Sequence, residues 1–161
     1  MHDFQKMPSP KFEPVAFVNS DIIIKAFVDD DKPTLTKLLN ISKKMNVEEG
    51  QKFLITEFVI NDVVTEAHKK GISKNKIFKY MFPGKTIYFQ TVSVPSHILQ
   101  PAVYLLDEGP DDVKLTLTDW TGLLMMVEWN IDTIISDKIE IDKVIHDSDL
   151  HTIFKQGIKR I

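Results

Sequence analysis

The sequence contains no cysteine. That excludes disulfides, thiolate nucleophiles and cysteine-ligated zinc or iron–sulfur centres. No apolar run approaches the ~18 residues that a membrane-spanning helix needs, so no membrane association is expected. Glycine is scarce, at 6 of 161 residues. Neither a glycine-rich phosphate loop nor an Asp-x-Asp-x-Thr/Val nucleophile motif occurs, which ranks a phosphatase or phosphate-binding protein of another open-sheet fold last among the candidate functions. The 5 histidines show neither HExxH nor triad spacing and are assigned no catalysis. Arginine is reduced to Arg160, so lysine carries the positive charge. The opening "MHDFQKMPSPKFEP" lacks the apolar core of a secretory signal. It reads as a flexible arm over residues 1–13 ahead of one domain, 14–161, and the expected location is the cytoplasm.

What is present suits a globular domain: 43% hydrophobic and 27% charged residues, with a net charge of -3. The charge is unevenly spread. From Ala67 to Leu106 there is no Asp or Glu, while Lys69, Lys70, Lys74, Lys76, Lys79 and Lys85 fall within that stretch. Such asymmetry predicts one positive region on an otherwise acidic molecule. "HKKGISKNKIFKYMFPGK" is a candidate phosphate-binding surface, with Phe78, Tyr80 or Phe82 available to stack on unpaired bases. The plainer reading makes it the wet face of a short helix whose Ile77, Tyr80 and Met81 pack inward.

Short β-branched runs alternate with helical patterns. "PVAFV" (Pro14 to Val18) and "KFLI" (Lys52 to Ile55) read as buried strands, "TIYFQTVSV" (Thr86 to Val94) as an alternating one, and "IDTIIS" as another buried strand. "PTLTKLLNISKKMN" predicts a helix with Pro33 in its first turn. "TEFVINDVVTEAHKKG" predicts one capped by Thr56 and stopped by Gly71. "PSHILQPAVYLLDEG" predicts a third, started late or kinked by Pro101. "LTLTDWTGLLMM" predicts a fourth, with Thr118 as its cap. Trp120 and Trp129 read as packing residues. "DKIEIDKVIHDSD" is open between helix and turn, and the tail "HTIFKQGIKRI" between edge strand and helix. The alternation predicts an α/β sandwich with a mostly parallel sheet.

In such a sheet, ligands bind beyond the carboxyl ends of the strands. That draws attention to Asn19 and Asp21, Asp62, Asp119, and Ser136 with Asp137. Carboxylates gathered there suit Mg²⁺ or Mn²⁺.

The order of elements resembles the PIN-domain family, the metal-dependent nucleases that include the VapC-like ribonuclease toxins of toxin–antitoxin pairs. "VNSDIIIKAF" resembles the family's opening strand and apolar run, with Asn19 where the first metal-binding Asp belongs. "ITEFVINDVV" puts Asp62 at the position of the second acid. "LTLTDWTGLLMM" puts Asp119 at the third, the one match in both type and place. "IISDKIEIDKV" puts Lys138 where a last Asp belongs. The resemblance implies a three-layer α/β/α sandwich with a mostly parallel central sheet. It implies an Mg²⁺- or Mn²⁺-dependent endoribonuclease, its ion held by Asp119, Asp62 and either Asn19 or Asp21, with Asp137 acting through water. It also implies RNA bound along Lys69, Lys70, Lys74, Lys76 and Lys79, an antitoxin or other protein partner, and a homodimer. The Asn19 and Lys138 departures imply the alternative of an inactive domain that binds RNA or a protein. In that alternative the Lys138 ammonium fills the place of the ion.

Overall fold

The computed structural model describes residues 14–45, 52–81, 87, 89–150, 153–154 and 157–161. The arm, Phe82 and Lys85 lie outside these, as do Thr86 and Tyr88 of the third expected strand. β1 (Pro14–Val18), β2 (Lys52–Thr56), β3 (Phe89–Val92), β4 (Thr133–Ile135) and β5 (Lys159–Arg160) form one sheet. Their order is β3-β2-β1-β4-β5, and every neighbouring pair is parallel. β1 is central: Phe17 lies opposite Leu54 on one side and Ile134 on the other. Ala16, Phe17 and Val18 are fully buried, which is why this strand reads as a continuous apolar run rather than an alternating one.

Parallel neighbours need crossover connections, and helices supply them. They are α1 (Ser20–Ile23), α2 (Lys32–Lys44), α3 (Glu57–Lys69), α4 (Lys74–Met81), α5 (Ser96–Glu108), α6 (Leu117–Glu128) and α7 (Glu140–Ile145). The result is the expected three-layer α/β/α sandwich. α1 runs directly into a π-helical turn, Ile24–Val28, in which the Asp29 N–H donates to the Ile24 carbonyl at 2.9 Å. The apolar run after Asn19 is therefore helical, not a continuation of β1.

Local chemistry explains most helix limits. Thr56 caps α3 by accepting from the Val59 N–H at 3.3 Å, and Gly71, at φ 71°, ends it in a conformation that costs glycine nothing. Asp31 caps α2 by accepting from the Thr34 N–H at 3.2 Å, with Pro33 in the first turn. α5 begins at Ser96 and continues through Pro101; Ile98, Ala102 and Leu105 still bury one face. α6 differs from expectation. Its cap is Thr116, not Thr118, because Thr116 and Asp119 form a reciprocal capping box. Trp120 is buried as expected, whereas Trp129 is 40% exposed, sitting just past the end of α6. The undecided segments resolve as helix α7 and edge strand β5.

The chain lays β1, β2 and β3 outward on one side of the sheet, then returns to add β4 and β5 on the other. The order reverses between β1 and β4, and the crevice beyond their carboxyl ends is where this architecture leaves room for a ligand.

Candidate functional site

Asn19 is the residue after β1, and Ser136 is the residue after β4. The Asn19 N–H donates to the Ile135 carbonyl at 3.0 Å, continuing the ladder one step beyond the strands. This holds the fully buried Asn19 side chain at the reversal point. Its Nδ2 donates to Asp119 Oδ1 at 2.8 Å and makes a longer contact of 3.4 Å to Ser136 Oγ. Asp119 arrives from the first turn of α6, where the capping box fixes it. The Asp119 N–H donates to Thr116 Oγ1 at 3.2 Å, and the Thr116 N–H donates to Asp119 Oδ2 at 2.8 Å. The same Oδ2 accepts from Lys138 Nζ at 2.7 Å. The Asp119 side chain is 0% exposed and that of Lys138 29%, so the carboxylate is buried while the ammonium reaches it from the solvent side.

A second layer of polar contacts secures this arrangement. Ser136 Oγ donates to Asp21 Oδ1 at 2.9 Å and accepts from the Lys138 N–H at 3.1 Å. Asp21 Oδ2 accepts from the Asp137 N–H at 2.8 Å, tying α1 to the loop after β4. The Asp137 carboxylate accepts from Lys25 at 2.8 Å and Lys37 at 3.3 Å. The hydrogen bond from Lys25 draws the Asp137 pKa below the ordinary carboxylate range, and Asp137 in turn raises that of Lys25. Arg160 donates to the Ser136 carbonyl at 2.9 Å and grips both oxygens of Asp142, which raises its own pKa. The acids Asp21, Asp119, Asp137 and Asp142 are thus balanced by Lys25, Lys37, Lys138 and Arg160.

No protein-family model matches the sequence, and no curated protein matches it. Among solved structures, VapC20 of Mycobacterium tuberculosis, a sarcin–ricin-loop-cleaving toxin, is similar over 79% of this chain and 93% of its own. The TM-score is 0.59 and the sequence identity 13%. The fold is PIN-like. At this identity the likeness concerns architecture alone.

Within the PIN-like fold, hydrogen bonds join Asn19, Asp21, Ser136 and Asp119 in one cluster. Other candidates lie differently. Asp137 directs its carboxylate to Lys25 and Lys37, while its N–H donates to Asp21. Asp62 is half-buried on the flank of α3 beside the Val59, Val63 and Ala67 stripe, and makes no hydrogen bond or ion pair with the described members of the cluster. Glu66, one turn on, pairs with Lys69 at 3.2 Å.

Mg²⁺ and Mn²⁺ require oxygen ligands arranged around the ion. Among the described residues, no three acidic or histidine side chains gather as a set that could hold a metal. Both Asp119 oxygens face N–H donors, and Asn19 presents its amide nitrogen to them. Lys138 adds positive charge where an ion would need negative. Asn19 Oδ1 is left buried without a partner. As folded, these residues do not fit a divalent ion.

Lys69, Lys70, Lys74, Lys76 and Lys79 are all exposed, along the end of α3 and the length of α4. Lys69 pairs with Glu66 and Lys70 with Asp29; Lys74, Lys76 and Lys79 make no ion pair with a described residue. Ile77 and Met81 pack inward and Phe78 is half-buried. Sequence reasoning missed Lys25, Lys37, Arg160 and Thr116. Thr116 carried a readable signal, the Thr-x-x-Asp spacing of a capping box. The others carried none, since their partners are distant in the chain.

Proposed function

We propose that this chain is a PIN-fold module that binds RNA and does not hydrolyse it by a metal-dependent route. The observation that carries the reading is the state of Asp119. Its carboxylate is buried, and both of its oxygens already accept from N–H donors, of Asn19, of Thr116 and of the Lys138 ammonium, the last supplying the positive charge that an ion would bring. Binding is supported by the exposed lysines of α3 and α4, which fall in the acid-free stretch of an acidic protein. Phosphate contacts by lysine release counterions, and the affinity then falls steeply with salt. The test is fluorescence anisotropy of labelled single-stranded RNA across a salt series, alongside a cleavage assay in Mn²⁺. Salt-sensitive binding with intact RNA supports the proposal. Absence of binding at low salt overturns it.

A second reading is a metal-dependent endoribonuclease with an antitoxin partner and a homodimeric assembly, in keeping with the fold's likeness to a toxin. The unpartnered Asn19 Oδ1 at the sheet's reversal point favours it. In that reading Asp119, Asp62 and Asp21 gather on an Mg²⁺ or Mn²⁺ ion once Lys138 moves away, and Asp137 contributes through water. RNA cleavage that requires Mn²⁺ and disappears in Asp119→Asn would establish it over the first.

A further inference from the structure

A buried carboxylate cannot remain charged without a partner, because burial without compensation costs far more than folding can supply. At the reversal point of this sheet the partner comes from the chain itself. Lys138 Nζ lies 2.7 Å from Asp119 Oδ2, and the Lys138 backbone is pinned by its N–H to Ser136 Oγ at 3.1 Å. Ser136 is in turn held by Asp21, and Asp21 by the Asp137 N–H. The ammonium is therefore presented by a loop with little freedom to withdraw.

We infer that Lys138 is the resident cation of this site: its tethered ammonium neutralises Asp119 in the place of a divalent ion, and removing it uncovers a latent metal site. The inference deepens the proposed function by naming what closes the site. Two further features support it. The ammonium lies on the solvent side of a fully buried carboxylate, with 29% of the lysine side chain exposed, so truncating the lysine opens a position that solvent ions reach. Asn19 also has an oxygen with no partner. Once the ammonium is gone, Asp119 Oδ2 keeps only the Thr116 N–H as donor, and a half-turn of the Asn19 amide presents its free oxygen toward Asp119 Oδ1 of the same carboxylate. The donors are then all oxygen, the chemistry that Mg²⁺ and Mn²⁺ select.

The experiment is Mn²⁺ titration of purified full-length protein, read by thermal denaturation and by the loss of the free-ion electron paramagnetic resonance signal. Wild type is expected to show neither a shift nor bound ion. Lys138→Ala should gain both, and Asn19→Asp/Lys138→Ala should bind more tightly. At a Mn²⁺ concentration a hundredfold above the Kd, the melting temperature of the binding variants should rise by roughly 5–10 °C. Lys138→Arg keeps the charge and should stay ion-free. Should Lys138→Ala unfold in chelator, its refolding on addition of Mn²⁺, followed by circular dichroism, supports the inference equally. Three results overturn it: Mn²⁺ binding to wild type that Asp119→Asn abolishes, binding gained by Lys138→Arg, or no binding in both alanine variants. RNA anisotropy is a separate readout. Loss of the RNA reading with these metal results intact leaves the inference standing, and the converse leaves RNA binding standing.

Discussion

At the scale of single residues, the decisive object is the Asp119–Lys138 pair. Deleting one member of a buried pair strands the other, and that costs more than the pair itself contributes. Lys138→Ala is expected to lower unfolding stability by about 3 kcal/mol, the low end for such pairs because the lysine is partly exposed; urea titration would measure it. The outer pair responds to pH instead. The Asp137 pKa is depressed by its hydrogen bond from Lys25, so its stabilising effect is present above the unfolded carboxylate value. That effect is lost as pH falls through the lower folded value. The Lys25 pKa is raised by Asp137, so its effect is complete below the unfolded lysine value and is lost as pH rises through the higher folded one. Asp137→Asn should therefore lower the melting temperature slightly between these limits and leave it unchanged in strong acid, as a pH series of thermal melts would show. The identities of Asn19, Asp119 and Lys138 marked the site in the sequence. Their hydrogen bonds did not, because Asn19 and Asp119 are separated by 100 positions and nothing local specifies which atom faces which.

At the scale of elements, α6 does two jobs with one turn. Its capping box satisfies backbone donors at the helix start, and the same Asp119 faces the site. Thr116→Ala should destabilise by about 1 kcal/mol, typical of a lost cap, and should also loosen Asp119; chemical denaturation would register it. Farther along, α6 lies directly on β1. A Cβ at Gly122 would come within 2.6 Å of the Phe17 ring. Phe17 is fully buried in the central strand, so the ring has nowhere to retreat. Gly122→Ala should cost about 1–3 kcal/mol through overpacking, measurable by the same titration. The start of α3 was legible because Thr56 caps its own turn. The cap of α6 lies two residues before the expected Thr118: Thr116 has Asp119 three residues on and exchanges hydrogen bonds with it, whereas Thr118 has Thr121 there. The π-helical turn at Ile24–Val28 left no pattern in the sequence. It places Lys25 to meet Asp137, a contact 112 positions away.

At the scale of the whole molecule, charge is partitioned. Acids and bases around the sheet's reversal point cancel one another, while the lysines of α4 have no acidic partner among the described residues. The cancelled cluster offers little field to a phosphate chain, and the α4 surface offers more. Lys74→Ala/Lys76→Ala/Lys79→Ala is expected to weaken RNA binding and to flatten the log–log salt dependence by about 2, from ~0.7 per lost phosphate contact on a single strand. The fold and melting temperature should be nearly unchanged, because these side chains are exposed. A triple variant with wild-type salt dependence would place the RNA contacts elsewhere.

The amino-acid sequence by itself determined the alternation of strands and helices, the parallel sheet that follows from it, and the short list of polar residues at strand ends. Those are consequences of local pattern, since burial of a strand or one helix face needs only apolar residues at the right period. The tertiary structure alone decided the state of the site. Whether Asp119 meets an ion or an ammonium depends on the path of the loop after β4. That path is set by Asp21, Ser136 and the paired strand ends, contacts that no window of the sequence contains.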